Sequence, residues 1–243
     1  MSSEFETVNY VKEGHVGEII LNRPKSLNAF NIQMRDELYQ ILEAVRDDPE
    51  IRSIVLRGEG ERAFCAGADL KEFDTAPSRV IAREVRWERD VWGLFIAMDK
   101  PIIAALHGFV IGSGLEMAML CDIRLCTEDT SFSMPEASLG MLPAAGGTQS
   151  LPRAIGRAHA VGMLLKKERI DAKMGHQIGL IHRVVSRISL RSEALAMADV
   201  LAKHPPKVVG ALKESIRRGL NMPLARAMEL ELNLAIKTVG GNG

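Results

Sequence analysis

Short apolar runs bounded by turn residues recur through the first half of the chain, with helical patterns between them. Four of these runs are typical of buried strands: GEIILNR (17–23), RSIVLRG (52–58), PIIAALHGFV (101–110) and DIRLCTE (122–128). Helical spacing of apolar residues predicts a helix from Asn31 to the Asp48-Pro49 step, and a second helix over 79–98. Strands that alternate with helices in this way predict an α/β fold.

From about residue 150 the chain changes to a mostly helical pattern. Helices are expected over 152–166, 189–203, 206–219 and 222–237. The only strand candidate in this part is IGLIHRVV, 178–185. We therefore divide the chain into a core over 1–190 and a helical C-terminal region over 191–243.

The balance of charge and the cysteine usage exclude several classes of protein. Lys plus Arg and Asp plus Glu both number 31, so no bulk charge draws the chain to nucleic acid or anionic lipid. Cys65, Cys121 and Cys126 form no C-x-x-C motif, and no secretory signal precedes them. A cytoplasmic protein with reduced thiols and no membrane span is expected. The six histidines form no H-E-x-x-H motif, so no metal is expected.

One glutamate stands among small and apolar residues in the segment GFVIGSGLEMAML, 108–120. The neighbours of Glu116 are typical of a helix buried on nearly every side, and a glutamate is almost never fully buried without a partner. From the sequence alone, two roles remain open for Glu116. It either forms a salt bridge with an arginine or serves as a catalytic carboxyl group with a shifted pKa.

Two glycine-containing turns are candidates for binding a ligand through the backbone. Gly112-Ser113-Gly114 lacks the further glycine of a dinucleotide fingerprint, the Gly-Lys-Ser/Thr of a P-loop and the G-x-S-x-G of a hydrolase elbow. Its N–H groups at a helix start nevertheless suit an oxyanion. The segment AFCAGADLKEF, 63–73, has the same potential at Ala66-Gly67-Ala68. The alternative for this segment is a tight strand-to-helix turn with Asp69 at the helix N-terminus.

A second carboxyl group lies in the apolar, Gly- and Pro-rich stretch FSMPEASLGMLPAAGGTQ, 132–149. Glu136 is there a candidate acid or base with a raised pKa. The alternative is a loop glutamate that is hydrogen-bonded to backbone N–H groups.

Four motifs in order resemble the crotonase superfamily, and within it enoyl-CoA hydratases most closely. The motifs are NRPKSLNAF (22–30), AFCAGADLKE (63–72), KPIIAALHGFVIGSGLEMAMLCDIRL (100–125) and PEASLGMLPAAGGTQSLPRAIG (135–156). The resemblance runs from about residue 5 to residue 237. It implies an α/β spiral of repeated ββα units, followed by a helical trimerisation region. Trimers, or hexamers built from two trimers, are the usual assemblies of this family.

The resemblance also implies an acyl-CoA thioester substrate and no separate cofactor, since coenzyme A is part of the substrate. By motif position, the backbone N–H groups of Ala68 and Ser113 would hold the thioester oxygen, and Lys71 would face the nucleotide phosphates. The residues implied to contact substrate or CoA are Leu27, Ala66, Ala68, Asp69, Leu70, Lys71 and Ser113. No nucleic-acid or membrane partner is expected.

The two glutamates distinguish the reactions of this family. Hydratases that resemble this chain carry a carboxyl group at both positions, so Glu116 and Glu136 imply reversible syn hydration of a 2,3-enoyl-CoA to a 3-hydroxyacyl-CoA. Glu116 would activate water and Glu136 would deliver the α-proton. The alternatives are a Δ3-Δ2-enoyl-CoA isomerase, another acyl-CoA reaction of the family, including hydration of a cyclic acyl-CoA, and a non-catalytic RNA-binding member.

Three departures from the family pattern are visible. Ala144 stands where glycine is frequent, and Ser150 where arginine is common. The sequence ends at KTVGGNG, before the final helix of most family members, and we expect this shorter end to affect the CoA pocket or the trimer contact.

Overall fold

Each of three successive strand pairs places one strand in a large sheet and the next in a small sheet. The computed structural model describes residues 5–72, 78, 84–85 and 87–239. Within them the strands are β1 (Val8–Glu13), β2 (Val16–Leu21), β3 (Ser53–Gly58), β4 (Ala63–Cys65), β5 (Ile102–Leu106), β6 (Phe109–Ile111), β7 (Ile123–Thr127), β8 (Ser131–Ser133), β9 (Ile170–Asp171) and β10 (Arg183–Val185).

The helices follow the strand pairs and then fill the last part of the described chain. They are α1 (Ile32–Asp47), α2 (Val91–Ala97), α3 (Ser113–Met119), α4 (Gly147–Lys166), α5 (Ala172–Gln177), α6 (Leu190–Ala202), α7 (Pro206–Gly219) and α8 (Leu224–Val239). Of the helix expected over 79–98, α2 is confirmed, whereas 79–83 and 86 lie outside the described residues. Phe73 of the 63–73 segment and the end of the chain, 240–243, also lie outside them.

The sheet topology confirms the expected repetition of ββα units. The large sheet has the order β1-β2-β3-β5-β7-β10, and the small sheet has the order β4-β6-β8-β9. The units β3–β4–α2, β5–β6–α3 and β7–β8–α4 each begin in the large sheet and continue in the small one. The first strands of these units pair in parallel, as do the second strands. The carboxyl ends of β4, β6 and β8 therefore lie on the same side of the small sheet.

Two predictions about strands were wrong in detail. The run PIIAALHGFV forms two strands rather than one, because the chain turns at Gly108 with a φ of 55°. A Cβ at this position would overlap the carbonyl oxygen of Arg62, so the turn requires glycine. The second error concerns the helical part, where β9 is a strand in addition to the expected β10.

The core lies on both sides of the large sheet. Helix α1 buries one face against it through residues at helical spacing, which include Met34, Leu38 and Leu42. Asn31 caps this helix by accepting a hydrogen bond from the Met34 N–H at 3.0 Å. On the opposite side α6 packs against β3 and β5 through Ala194 and Ala198. The division of the chain at residue 190 stays a prediction.

Candidate active site

A cavity of about 670 Å³ lies at the edge of the small sheet, where β4 and β6 end. It collects residues from five parts of the chain: the 66–70 turn, the end of β6 with the start of α3, the loop from Pro135 to Ala145, α1 with its entry, and α2. Its lining includes Ala66, Gly67, Ala68, Leu70, Gly112, Ser113, Glu116 and Glu136. Both candidate carboxyl groups and both candidate backbone donors therefore line one cavity.

Glu116 lies in α3 and only 2% of its surface is exposed. Its Oε1 accepts hydrogen bonds from the backbone N–H groups of Ala145, at 2.9 Å, and Gly147, at 2.8 Å. Because an ionised carboxylate is a pure acceptor, two such donors suit its charged form and fix its orientation. The loop that carries Glu136 thus continues into the residues that hold Glu116.

Glu136 begins a short 3-10 turn, Glu136–Leu139, and is half-buried. Its Oε2 is buried and has no hydrogen-bond partner within the described residues. Burial raises the pKa of Glu136, and the negative charge of Glu116 raises it further, against an opposing contribution from its own backbone. This environment favours the protonated, hydrogen-donating form of Glu136.

The start of α3 brings the Glu136 carboxyl group against the glycine turn. A Cβ on Gly112 would lie 2.6 Å from Oε1 of Glu136, and Gly112 has a φ of 53°. A Cβ on Gly114 would overlap the carbonyl oxygen of Cys65. Both glycines therefore permit a close approach, one to the carboxyl group and the other to the end of β4.

The N–H of Ala68 is turned away from its neighbouring strand segment. Phe30 and Ala68 form an isolated parallel bridge, in which Phe30 donates to the Gly67 carbonyl and accepts from the Asp69 N–H. In such a bridge the middle residue directs its own N–H to the other side. No backbone acceptor for the Ala68 N–H occurs among residues 5–72 and 87–239, and Ala68 lines the cavity.

Ser113 occupies the first position of α3, directly after Gly112. The first N–H groups of a helix have no partner within the helix, and the described part of the chain offers the Ser113 N–H no other backbone acceptor. Ser113 lines the same cavity as Ala68. The two amides are thus available at the ends of neighbouring strands, β4 and β6.

Of the remaining predicted contact residues, some line the cavity and others do not. Ala66 and Leu70 line it, whereas Leu27, Asp69 and Lys71 do not. Leu27 accepts the Ala66 N–H at 3.0 Å and so supports the turn from behind. An ion pair with Arg23, at 2.9 Å, lowers the pKa of Asp69 and fixes the turn. Lys71 is exposed, in a 3-10 turn rather than the expected helix start.

Sequence patterns did not identify two features of the cavity. Trp92 lines it and packs on Phe30, with ring centroids 5.2 Å apart, whereas its apolar sequence neighbours indicate core packing or a subunit interface. Arg35, in the first turn of α1, also lines it. A charged residue on a helix face carries no sequence signal for a cavity built by distant loops.

Other chemistries find little support in the described residues. No group of three or more His, Cys, Asp or Glu side chains there is placed to hold a metal ion. Burial raises the pKa of the Cys65 thiol to about 11, so that it is protonated at neutral pH. Within the same residues, no helix has the length and apolar character to cross a membrane.

Comparisons with known proteins agree in pointing to one family. Residues 11–241 match the family model described as enoyl-CoA hydratase/isomerase. The mitochondrial enoyl-CoA hydratase of Pongo abelii is 37% identical over 237 residues, which cover 95% of this chain and 79% of that protein. The short-chain-enoyl-CoA hydratase of Clostridium acetobutylicum is 34% identical, with 94% and 87% covered. A crystal structure of an enoyl-CoA hydratase from Bacillus anthracis superposes with a TM-score of 0.91 at 31% identity and covers 97% of this chain and 92% of that one.

Proposed function

The chain belongs to the enoyl-CoA hydratase/isomerase family, and from this premise we propose that it catalyses the reversible syn hydration of a 2,3-enoyl-CoA to a 3-hydroxyacyl-CoA. The observation that carries the proposal is the pair of carboxyl groups, Glu116 and Glu136, in one cavity. Their environments differ: two N–H groups hold one, and burial favours the protonated form of the other. Such a pair provides a base and an acid at the same pH.

In the proposed mechanism, one water molecule lies between the two carboxyl groups. Glu116, as the carboxylate, takes a proton from this water while the water oxygen forms a bond to C3 of the substrate. Glu136 delivers a proton to C2, and the C2–C3 double bond becomes a single bond. Both new bonds form on the face of the substrate that is turned to the carboxyl groups, so the addition is syn.

The backbone N–H groups of Ala68 and Ser113 complete the proposed mechanism. Addition at C3 places negative charge on the thioester oxygen, and preorganised donors stabilise this charge in the transition state. Backbone donors also explain why a serine is acceptable at position 113, because its side chain takes no part. No cofactor is needed in this scheme.

CoA would enter along the turn from Ala66 to Lys71, whose small residues permit close contact with a ligand. Asp69 and Leu27 support this turn in the ways described above. Lys71 is exposed and follows Leu70, which lines the cavity, and its ammonium group suits the nucleotide phosphates.

An assay with two kinds of substrate tests the function. We expect the wild-type protein to hydrate crotonyl-CoA or a medium-chain 2-enoyl-CoA. The hydration is measured as the loss of absorbance of the conjugated thioester. Conversion of a 3-enoyl-CoA into its conjugated isomer without hydration would instead establish the isomerase. Activity on neither substrate, under conditions in which the protein is folded, would contradict the proposal.

Because the pKa of Glu136 is raised in the folded protein, the Glu136 carboxyl group should lower the stability of the fold at neutral pH. A glutamate with a raised folded-state pKa stabilises the fold fully only below its ordinary value of 4.5. This contribution is lost as the pH rises through the folded-state pKa. We therefore expect Glu136→Gln to have a higher Tm than wild type at pH 7.5, by about 2–4 °C for each kcal/mol, and an equal Tm near pH 4.

Thermal unfolding followed by circular dichroism at several pH values measures this difference. Glu128→Gln, at an exposed site, removes the same charge as a control and should not show the pH-dependent gain. An unchanged or lower Tm for Glu136→Gln at pH 7.5 would show that Glu136 is not destabilised by its surroundings.

We also propose that copies of this chain assemble as a trimer or a pair of trimers. Helices α7 and α8 pack on each other and bury none of their residues fully. Their apolar residues are 59% to 77% exposed at Leu212, Ile216, Leu220, Leu224, Met228 and Leu232. So many exposed apolar side chains on two packed helices are typical of a protein interface.

The three cysteines are free and buried, which suits a reducing compartment such as the cytoplasm.

Light scattering coupled to gel filtration tests the assembly. Wild type should have the mass of three or six chains, and Leu232→Glu should shift the mass toward one chain because it places a charge in the interface. Glu231→Ala, at an exposed neighbouring position, is the matched control and should keep the wild-type mass. A wild-type protein with the mass of a single chain would contradict the proposal.

A further inference from the structure

Arg35 is the only cation among the described residues that line the cavity. It lies in the first turn of α1, and its side chain is 19% exposed. The two glutamates are the other charged residues in this lining, and they are assigned to the reaction. The proposed chemistry therefore leaves the guanidinium group of Arg35 without a role.

The cavity that Arg35 lines has a largely apolar wall. Phe30, Trp92 and Leu70 line it together with Arg35, as do Leu139, Met141 and Leu142. A hydrocarbon tail that fills such a cavity would displace water from the guanidinium group and offer it no acceptor, which is unfavourable. A carboxylate at the end of the tail would supply that acceptor.

The ion pair that Arg35 makes with Asp36 leaves positive charge available. Asp36 lies 2.8 Å from Nη2 of Arg35, and its Oδ1 also accepts a hydrogen bond from Nε at 2.9 Å. The same carboxylate lies 3.7 Å from Nε of Arg89. One carboxylate therefore serves two guanidinium groups and neutralises only one of them. Asp36 contacts the side of the guanidinium group that Nε and Nη2 form. The N–H groups at the end of the guanidinium group, one on Nη1 and one on Nη2, are oriented for a second carboxylate.

We propose that Arg35 selects acyl-CoA substrates whose acyl chain ends in a carboxylate, that is, CoA monothioesters of unsaturated dicarboxylic acids. This inference rests on the proposed function, because it assumes that the acyl chain occupies the cavity next to the glutamate pair. A terminal carboxylate pairs with the guanidinium group in the partly desolvated wall, where a charge-assisted hydrogen bond is stronger than in water.

Binding of saturated analogues tests the proposal without turnover. Glutaryl-CoA and pentanoyl-CoA have the same chain length and differ only in a terminal carboxylate against a methyl group. By titration calorimetry, wild type should bind glutaryl-CoA more tightly than pentanoyl-CoA, and Arg35→Met should lower this preference about tenfold. Arg35→Lys keeps the charge and should retain part of the preference. Arg89→Met, which removes the other partner of Asp36 outside the cavity lining, is the matched control.

The outcomes separate this proposal from the proposed function. Equal binding of the two thioesters by wild type, or the same preference in Arg35→Met as in wild type, overturns the role of Arg35. Hydration of pent-2-enoyl-CoA and of glutaconyl-CoA, its carboxylated counterpart, is then compared. Turnover without selectivity leaves the hydratase intact and refutes the selection. Selective binding of glutaryl-CoA by a protein that hydrates neither substrate supports the role of Arg35 and refutes the hydratase.

Discussion

Replacing either Glu116 or Glu136 with glutamine should lower kcat for hydration by about 10²–10⁴-fold, the usual contribution of a positioned acid or base. Glutamine keeps the size of the side chain but neither accepts nor donates the proton that the reaction transfers. In Glu116→Gln the amide oxygen still accepts from the N–H groups of Ala145 and Gly147, so the loop remains in place. The loss should therefore appear in kcat more than in KM.

Steady-state kinetics with the best 2-enoyl-CoA substrate measure both effects, and Glu128→Gln is again the matched control. Because the two carboxyl groups share one water molecule in the proposed mechanism, the double variant should lose much less than the product of the single losses. A single variant that retains full kcat would remove that residue from the mechanism.

The second large effect is expected from removing one backbone donor. Ala68→Pro deletes the N–H at this position, which should lower kcat by about 10²–10³-fold, as for the loss of one oxyanion-hole donor. The change removes no hydrogen bond of the bridge to Phe30, because this bridge uses the carbonyl of Gly67 and the N–H of Asp69 rather than the Ala68 N–H. Gly67 precedes the new proline and, as glycine, tolerates its restriction.

Ala68→Gly is the matched comparison because it changes the side chain and keeps the N–H. The difference in kcat between the proline and glycine variants isolates the contribution of the donor, with folding of both checked by thermal unfolding. Equal kcat values for the two variants would show that the thioester oxygen is not held by the Ala68 amide.

Much of the fold could be predicted from the sequence, with errors where the elements are short. Strands of five or six residues, such as β3 and β7, stand out because side chains on both of their faces are buried and many of them are apolar. The three-residue strands β4, β6 and β8 are too short to show a period. The division of one apolar run at Gly108 depends on contact with Arg62, which is distant in sequence.

The two carboxyl groups and the two backbone donors of the candidate site could be predicted, but their contacts could not. Glu116 drew attention because a charge in an apolar helix needs a partner, yet the donors to its Oε1 are backbone N–H groups of residues 145 and 147. No residue type marks a backbone donor, so sequence reasoning considered an arginine instead. Arg35 was overlooked for a related reason, because its helix pattern indicates an ordinary surface position, and the cavity beside it is formed by loops that are distant in sequence.

Hydration of crotonyl-CoA in D₂O tests the paired-carboxyl mechanism most directly, with the position and face of the label determined by NMR. Two carboxyl groups that share one water molecule predict 3-hydroxybutyryl-CoA with one deuterium at C2, on the same face as the new hydroxyl group at C3. The Glu116→Gln/Glu136→Gln double variant should form this product only at a residual rate. Deuterium on the face opposite the new hydroxyl group would contradict the account.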